Sequence, residues 1–367
     1  MHPLDGLKVV ELARILAGPW VGQSLADLGA EVVKVESPDG DDTRRWGPPF
    51  VERDDDVSAA YFYAANRGKR GVVADFGTPE GRELVLDLVK DADILIENFK
   101  VGGLTKFGLD YDSLSAINPR LIYCSITGFG QTGPLAGRAG YDFMIQGLSG
   151  LMSITGEPEG SPQKVGVAIT DIVAGLYSTI GILAALEQRN RTGRGQHIDM
   201  SLFDCATAVL ANQGMNALVT GKSPERLGNA HPNIAPYQVL PVNDGHIILA
   251  VGNDAQFSRL CQILDLGEMQ VDSKFATNAD RLANRDELTE LLTDAMKIWG
   301  SAQLLEALDA QNVPAAPINS IHQALGHPQT HARDMVAECE GVPGVRGPWK
   351  FSDARLNVAK TAPKLNR

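Results

Sequence analysis

The sequence is poor in the residues that mark several protein classes. Only 6% of its 367 residues are aromatic, and its four cysteines and seven histidines are scattered along the chain. Few aromatic side chains argue against stacking surfaces for single-stranded nucleic acid. Cysteines without a CxxC pair indicate reduced thiols, as is usual in the cytoplasm. Histidines that do not cluster at ligand spacing give no reason to predict a metal site.

Positive charge and long apolar runs are also in short supply. The 33 basic residues are outnumbered by 45 acidic ones, for a net charge of -12, which argues against nucleic-acid binding but not against a small anionic ligand. The uncharged run over 172–186 is too short and too rich in glycine, serine and threonine for a membrane span. No signal-peptide pattern is seen. We therefore expect a cytoplasmic protein with neither nucleic acid nor membrane as a partner.

Apolar strand patterns alternate with helix patterns over the first two hundred residues. Strands are predicted at residues 7–12, 32–36, 71–75, 93–98, 121–126 and 196–202. A helix is predicted to begin after Thr78, which has the features of an N-cap followed by proline. This alternation predicts an α/β fold with a parallel, Rossmann-like sheet. The G-x-G-x-x-G pattern of dinucleotide-binding turns is absent after the first strand.

A different pattern begins near Pro236. Two strand-like runs, 237–242 and 246–251, flank Asn243-Asp244-Gly245, which predicts a hairpin. Helices follow at 256–264 and 285–299. We predict a small α+β domain over 223–317, inserted into a large domain formed by 1–222 and 318–367.

Asp171 stands at the start of a segment that has no charge from Ile172 to Leu186. A helix that is apolar on all sides belongs in a core. An acid in its first turn could be an N-cap. It could also be a catalytic carboxylate near free N–H groups and the positive end of the helix dipole. The residues around Asp171 leave both interpretations open.

Five short motifs occur in a specific order around Asp171. They are Leu-Ala-Gly-Pro at 16–19, Gly-Ala-Glu-Val-Val-Lys-Val-Glu at 29–36, Asn-Arg-Gly-Lys-Arg at 66–70, Glu-Asn-Phe at 97–99 and Thr-Gly-Arg-Gly-Gln at 192–196. Together with Asp171 they strongly resemble the class III coenzyme A transferases, such as formyl-CoA and carnitine CoA-transferases. The resemblance covers nearly the whole chain. α-Methylacyl-CoA racemase is a relative of this family.

The resemblance implies a fold, an assembly and substrates. It implies a large CoA-binding Rossmann-like domain with a small domain inserted, and an obligate homodimer of two subunits interlocked like rings. The substrates would be an acyl-CoA and a carboxylic acid, with CoA as a substrate rather than a tightly bound cofactor. The stretch 228–237 resembles the branch that handles larger acids, including dicarboxylates with succinyl-CoA as donor.

The resemblance also implies roles for individual residues. Asp171 would be the nucleophile, forming a mixed anhydride and then an aspartyl-CoA thioester. Tyr141 would orient the thioester, or would be an ordinary core tyrosine. The racemase has histidine at this position, and a tyrosine pKa is too high for easy two-way proton transfer, which disfavours racemase activity. The residues implied to contact CoA are Leu16, Ala17, Ala74, Asn98, Phe99 and Lys106.

The sequence leaves the roles of two basic segments undecided. Arg14 follows the first strand, where open α/β sheets bind ligands, and it could hold a substrate carboxylate or pair with an internal acid. Lys69 and Arg70 could meet phosphates or form a solvated turn. The leading hypothesis is CoA transfer between carboxylic acids. The alternatives are racemisation of a 2-methylacyl-CoA and CoA binding without turnover.

Overall fold

The computed structural model describes residues 1–365. Its strands are β1 Lys8–Glu11, β2 Glu31–Glu36, β3 Phe50–Arg53, β4 Asp56–Ala59, β5 Arg70–Val73, β6 Ile94–Glu97, β7 Ile122–Thr127, β8 His197–Ser201, β9 Tyr237–Val242, β10 Gly245–Ala250, β11 Ala315–Pro317, β12 Val336–Cys339 and β13 Val342–Val345. Its α-helices are α1 Ala17–Asp27, α2 Ala60–Asn66, α3 Pro79–Lys90, α4 Tyr111–Ile117, α5 Asp142–Leu148, α6 Ile169–Thr192, α7 Leu202–Ala208, α8 Ala211–Thr220, α9 Asp254–Ile263, α10 Gly267–Val271, α11 Asn278–Ala283, α12 Arg285–Met296, α13 Ser301–Ala310, α14 Ile321–Leu325 and α15 Pro328–Ala332.

Six strands form one parallel sheet in the order β5-β2-β1-β6-β7-β8. This confirms the predicted α/β class with a large parallel sheet. Strand β6 is buried along its whole length, as expected for a strand covered on both faces. The strand order reverses between β1 and β6, so the loops after these two strands diverge there. Such a reversal leaves a crevice at the carboxyl edge of the sheet.

Helices α1 and α6 cover one face of the sheet and pack closely on each other. A Cβ atom at Gly175 of α6 would lie 3.0 Å from Trp20 and 3.1 Å from the Ala17 carbonyl oxygen on α1. That distance is tight for a real side chain, so glycine permits the contact. On α3 the predicted N-cap is confirmed, because the Thr78 hydroxyl accepts a hydrogen bond from Gly81 N–H.

Helix α6 departs from the prediction of a helix buried on all sides. It is long and apolar enough to cross a membrane by length and composition alone. One side is buried, including Ala174, Ser178 and Ile182. The other side exposes an apolar stripe of Leu176, Tyr177, Ile180 and Leu183, with Ile180 61% exposed. A core helix explains only the first side.

The chain divides into two compact units. The first contains Met1–Leu151, Lys164–Ala211 and the chain from His327 onward, and the second contains Met152–Gln163 and Asn212–Gly326. These divisions differ from the predicted boundaries at 222/223 and 317/318, because α8, α14 and the stretch 152–163 belong to the second unit. The predicted hairpin is confirmed there: β9 and β10 pair antiparallel around the Asn243–Asp244 turn.

Candidate active site

A cavity of about 370 Å³ opens at the carboxyl ends of β1, β6 and β7. This is the edge where the strand order reverses and where open α/β sheets bind ligands. The cavity brings together seven of the predicted site residues, which are Arg14, Leu16, Ala17, Asn98, Phe99, Tyr141 and Asp171. These residues come from four separate segments of the first unit.

Asp171 is the third residue of α6 and is partly buried in the cavity wall. Within residues 1–365, no hydrogen-bond donor or cation pairs with its carboxylate. Burial, followed by the negative charge of Asp142, raises the pKa of Asp171 from 3.8 to about 7. The side chain is therefore close to half ionised at neutral pH.

The start of α6 is capped by Asp142, not by Asp171. Ala168 occupies the N-cap position and provides no side-chain bond. Asp142 Oδ1 accepts hydrogen bonds from Thr170 N–H at 2.8 Å and from Thr170 Oγ1 at 2.7 Å. The interpretation of Asp171 as an N-cap is therefore wrong, because another carboxylate already fills that role from α5.

Tyr141 immediately precedes α5 and projects into solvent at the cavity wall. It is 64% exposed, so it is not the buried core tyrosine that was one interpretation of this position. Its path is set by Gly128 and Gly140, because a Cβ on Gly128 would lie 2.6 Å from Gly140 Cα. The two backbones touch, which holds the Tyr141 loop against the end of β7.

The loop after β1 is held in an unusual conformation. Ile15 has φ +74°, which is rare and costly for a β-branched residue. The Asn98 side chain accepts from Arg14 N–H at 3.0 Å and donates to the Arg14 carbonyl at 2.7 Å. Asp41 accepts from Ile15 N–H at 3.2 Å. Asn98 thus holds the loop that presents Leu16 to the cavity.

Arg14 pairs with an acid at the mouth of the cavity. Its Nη1 lies 3.0 Å from Asp42 Oδ2, and its side chain is 59% exposed. Arg45 contacts the same carboxylate at 3.3 Å but does not line this cavity. Arg14 therefore lines the cavity while its guanidinium is paired with Asp42.

A buried charge network lies beneath this loop. Lys34 Nζ contacts Glu11 at 3.1 Å and Asp41 at 3.0 Å, and Lys69 Nζ contacts Glu11 at 2.8 Å. Lys69 also donates to the Pro19 carbonyl. Burial, assisted by Lys34, lowers the pKa of Lys69 to about 8. Neither expectation for Lys69, a phosphate contact or a solvated turn, is met by this buried side chain.

A second cavity of about 320 Å³ lies at the carboxyl ends of β1, β2 and β5. It contains Ala74, and Arg14 and Phe99 line both cavities. The Phe76 ring lies 6.1 Å from the rings of both Phe99 and Phe107, giving this cavity an apolar wall. Lys106 lines neither cavity; it is exposed, with Nζ 4.6 Å from the Phe107 ring centroid.

Two further residues of this region were not predicted from the sequence. Burial and the carboxylates of Asp171 and Asp142 raise the pKa of Tyr61, whose ring lies 5.4 Å from Trp46. Arg138 lines the cavity beside Tyr141, and its guanidinium has no partner within residues 1–365. Both come from short or irregular segments in which no periodic pattern marks them.

The four cysteines are free, as predicted, and all four are buried. Burial raises the pKa of Cys124 to about 12 and those of Cys205 and Cys261 to about 11. These thiols are protonated near neutral pH, so they are poor nucleophiles. Residues 1–365 also contain no group of three or more His, Cys, Asp or Glu side chains that could hold a metal ion.

A parallel sheet with a ligand-sized cavity at its switch point, and a desolvated carboxylate in the cavity wall, is the arrangement of an α/β protein that binds a ligand at the carboxyl edge of its sheet. The model of CoA-transferase family III matches residues 4–367. The chain therefore belongs to CoA-transferase family III.

Individual relatives agree with this assignment. The chain is 56% identical to succinate–glutarate CoA-transferase of Agrobacterium fabrum, covering 99% of this chain and 93% of that protein. It is 40% identical to succinyl-CoA:glutarate CoA-transferase of Homo sapiens, covering 100% and 84%. The crystal structure of a CAIB/BAIF family protein from Brucella suis superimposes with a TM-score of 0.91 at 63% identity, covering 100% and 97%.

Proposed function

We propose that this enzyme transfers CoA from succinyl-CoA, or a similar acyl-CoA, to a dicarboxylic acid such as glutarate, with Asp171 as nucleophile. The observation that carries the proposal is the Asp171 carboxylate, which lines the cavity without a hydrogen-bond donor or cation to occupy it. The substrates named for the relatives support the choice of donor and acceptor.

The reaction begins when an Asp171 carboxylate oxygen attacks the thioester carbonyl carbon. The C–S bond breaks, CoA thiolate leaves and a mixed anhydride remains. The thiolate attacks the aspartyl carbonyl carbon, releasing the donor acid and leaving an aspartyl-CoA thioester. The acceptor carboxylate then attacks this thioester, the thiolate leaves again, and thiolate attack on the acceptor's carbonyl carbon yields the new acyl-CoA and free Asp171. Each step exchanges one bond to an acyl carbon for another.

The environment of Asp171 suits this role. A pKa near 7 keeps about half of the side chain ionised at neutral pH, while a more basic carboxylate is a better nucleophile than an ordinary one. The start of α6 places the positive end of its dipole near the oxyanion that forms at the reacting carbonyl. Partial burial limits the access of water to the anhydride.

We propose that CoA spans both cavities. The adenine would lie against Ala74, Phe76 and Phe107, where the cavity is apolar, and the thioester would reach Asp171 past Phe99, which lines both. Lys106 could meet a phosphate from outside the cavities as a point charge. CoA then enters and leaves as a substrate.

The second carboxylate of the acceptor needs a cation in the cavity. Arg14 is the residue predicted for this role, and it lines the cavity although it also pairs with Asp42. Tyr141, exposed at the wall, would orient the thioester. Within residues 1–365 no histidine lines this cavity, which disfavours the two-way proton transfer that racemisation requires.

We also propose that the protein is a homodimer, interlocked as the family resemblance implies. The apolar stripe of α6 is exposed, and α5 exposes Phe143 and Leu148 at 58% and 48%. Burying these side chains in a second copy would remove the apolar surface from water. Light scattering on the wild type should give twice the chain mass, and Ile180→Asp should reduce it; a monomeric wild type would contradict the proposal.

The activity test uses succinyl-CoA with a panel of carboxylic acids, followed by mass spectrometry of new acyl-CoA species. We expect glutaryl-CoA from glutarate, and none from the Asp171→Ala variant. Glu80→Gln serves as the matched control, because Glu80 is an exposed first-turn acid of α3. Exchange with no acid would support CoA binding without turnover, and deuterium uptake at the α-carbon of a 2-methylacyl-CoA would support racemisation.

A further inference from the structure

Asp142 and Asp171 lie side by side but differ in their contacts. Both oxygens of Asp142 are occupied: Oδ1 by Thr170, and Oδ2 by Gln146 Nε2 at 2.8 Å. Thr170 is 1% exposed and Gln146 is fully buried. Asp171 follows Thr170 in the chain and accepts no such bond. One carboxylate therefore takes the hydrogen bonds that the other lacks.

The bonds of Asp142 continue into the segment that leads to α6. Gln146 Oε1 accepts from Val165 N–H at 2.9 Å. Asp142 and Gln146 thus hold the chain at two points. One is Val165, before α6 begins, and the other is Thr170, in the first turn of the helix. Residues 152–163, between α5 and this segment, belong to the other compact unit, and the chain of the first unit continues from Lys164. The two bonds therefore fix the first residues of that continuation.

We propose that Asp142 is the positioning residue for Asp171: it binds the first turn of α6 and keeps the neighbouring carboxylate free of donors and aimed into the cavity. This inference rests on the proposed role of Asp171 as nucleophile. If Asp142 were absent, Thr170 N–H would lose its acceptor, and the Thr170 hydroxyl would be free to rotate toward the nearest one. A carboxylate that accepts hydrogen bonds is a weaker base and nucleophile.

Asp142 also acts on Asp171 through its negative charge. Its carboxylate opposes ionisation of Asp171. Tyr61 on α2, which is neutral, also interacts electrostatically with Asp171, and the cations Arg14 and Arg138 line the same cavity. Removing the Asp142 charge therefore leaves only burial to oppose ionisation, and Asp171 should ionise at lower pH.

Four variants separate position from charge. Asp142→Ala removes both, and a small displacement of a reacting group can cost about 10²-fold in kcat; we expect that loss with little change in KM for succinyl-CoA. Asp142→Asn keeps an acceptor for Thr170 but places an amide N–H₂ against Gln146 Nε2. We expect a smaller fall in kcat and an acid limb of the pH profile shifted to lower pH.

Combining Asp142→Asn with Gln146→Glu supplies a carboxylate that accepts hydrogen bonds from both the new amide and Val165 N–H. This double variant should restore most of kcat.

The fourth variant, Thr170→Val, removes one donor but no charge, so it should lower kcat modestly without moving the acid limb. Glu80→Gln should match wild type throughout. Circular dichroism and thermal melting identify any variant that fails to fold. A folded Asp142→Ala protein with kcat within twofold of wild type would overturn the proposal, as would an Asp142→Asn protein with an unshifted acid limb.

A failure of the proposed function gives a different result. Carbon-13 NMR of the Asp171 carboxyl, assigned with Asp171→Asn, follows its titration without any substrate. A lower titration midpoint in Asp142→Asn than in wild type supports the effect of Asp142 even if CoA transfer is not seen. Absence of CoA transfer in the wild type, by contrast, concerns only the role of Asp171.

Discussion

Two carboxylates of the first unit are taken out of water in opposite ways. Glu11, at the end of β1, is fully buried and contacts Lys34 and Lys69 at 3.1 and 2.8 Å. Asp171, at the start of α6, has no cation or donor among the residues described, and burial raises its pKa to about 7. A buried charge with partners supports structure, whereas one without them is costly to ionise. The unpaired site is the one that lines the cavity.

The largest expected effect is that of removing the unpaired carboxylate. Asp171→Asn should lower kcat by roughly 10⁴-fold or more, as expected for loss of a nucleophile. Its thermal unfolding midpoint should be unchanged or higher at pH 8, because an unpaired buried charge is lost. A fall in stability comparable to that of a Glu11 variant would break the comparison.

Removing the paired carboxylate should reduce stability and leave most of the activity intact. Glu11→Gln leaves two buried lysines short of a counter-charge, which typically costs about 3–5 kcal/mol. Urea unfolding at pH 7 measures this loss, and the folded fraction should retain kcat within a few-fold. Glu31→Gln is the control, because Glu31 is the exposed first residue of β2 and should change stability by less than about 0.5 kcal/mol.

The pH dependence sharpens the contrast. The folded pKa of Asp171 is raised from 3.8 to about 7, so the side chain favours folding when protonated. That contribution is complete below about pH 4 and is lost as the pH rises through 7. Over the same range kcat/KM should rise, with an acid limb near pH 7. The acid limb is measured with initial rates. A limb near pH 4 would show that the rate does not follow the ionisation of Asp171.

The smallest effect is expected at the cavity mouth. Arg14→Ala should raise KM for a dicarboxylate acceptor by up to about tenfold and leave KM for a monocarboxylate unchanged. Stability should change little, since exposed ion pairs contribute about 0–1 kcal/mol. Arg45→Ala is the matched control, because Arg45 contacts the same Asp42 without lining the cavity. Equal KM values for the two variants would rule out Arg14 as the residue that binds the second carboxylate of the acceptor.

Local sequence patterns were sufficient for the sheet and insufficient for the contacts around Asp171. Four of the six parallel strands, β1, β2, β5 and β6, contain short runs of valine, isoleucine or leucine, and the hairpin after Val242 follows from Asn243-Asp244-Gly245. The hairpin of β3 and β4 was missed, since its two four-residue strands join at acidic residues and Asp54 adopts φ +54°. No periodic pattern distinguishes strands of this length.

The roles of single polar residues depended on long-range packing. That Asp142 caps α6 depends on a contact between residues 28 positions apart, and the burial of Lys69 depends on Glu11, 58 positions away. Family resemblance named six of the seven predicted residues that line one cavity, all but Arg14, but it could not show that Asn98 bonds to both backbone groups of Arg14. Partners of this kind are visible only once the chain is folded.

The contact between Gly128 and Gly140 limits how this enzyme can be redesigned. The two backbones already touch, with a Cβ on Gly140 only 2.7 Å from Gly128 Cα, so the Tyr141 loop cannot move closer to the sheet and neither glycine accepts a side chain. Moving the loop away from the sheet would break this contact, so an engineer who wants a roomier cavity for a longer acid would shorten a side chain in the wall, such as Leu16, and leave the course of the loop alone.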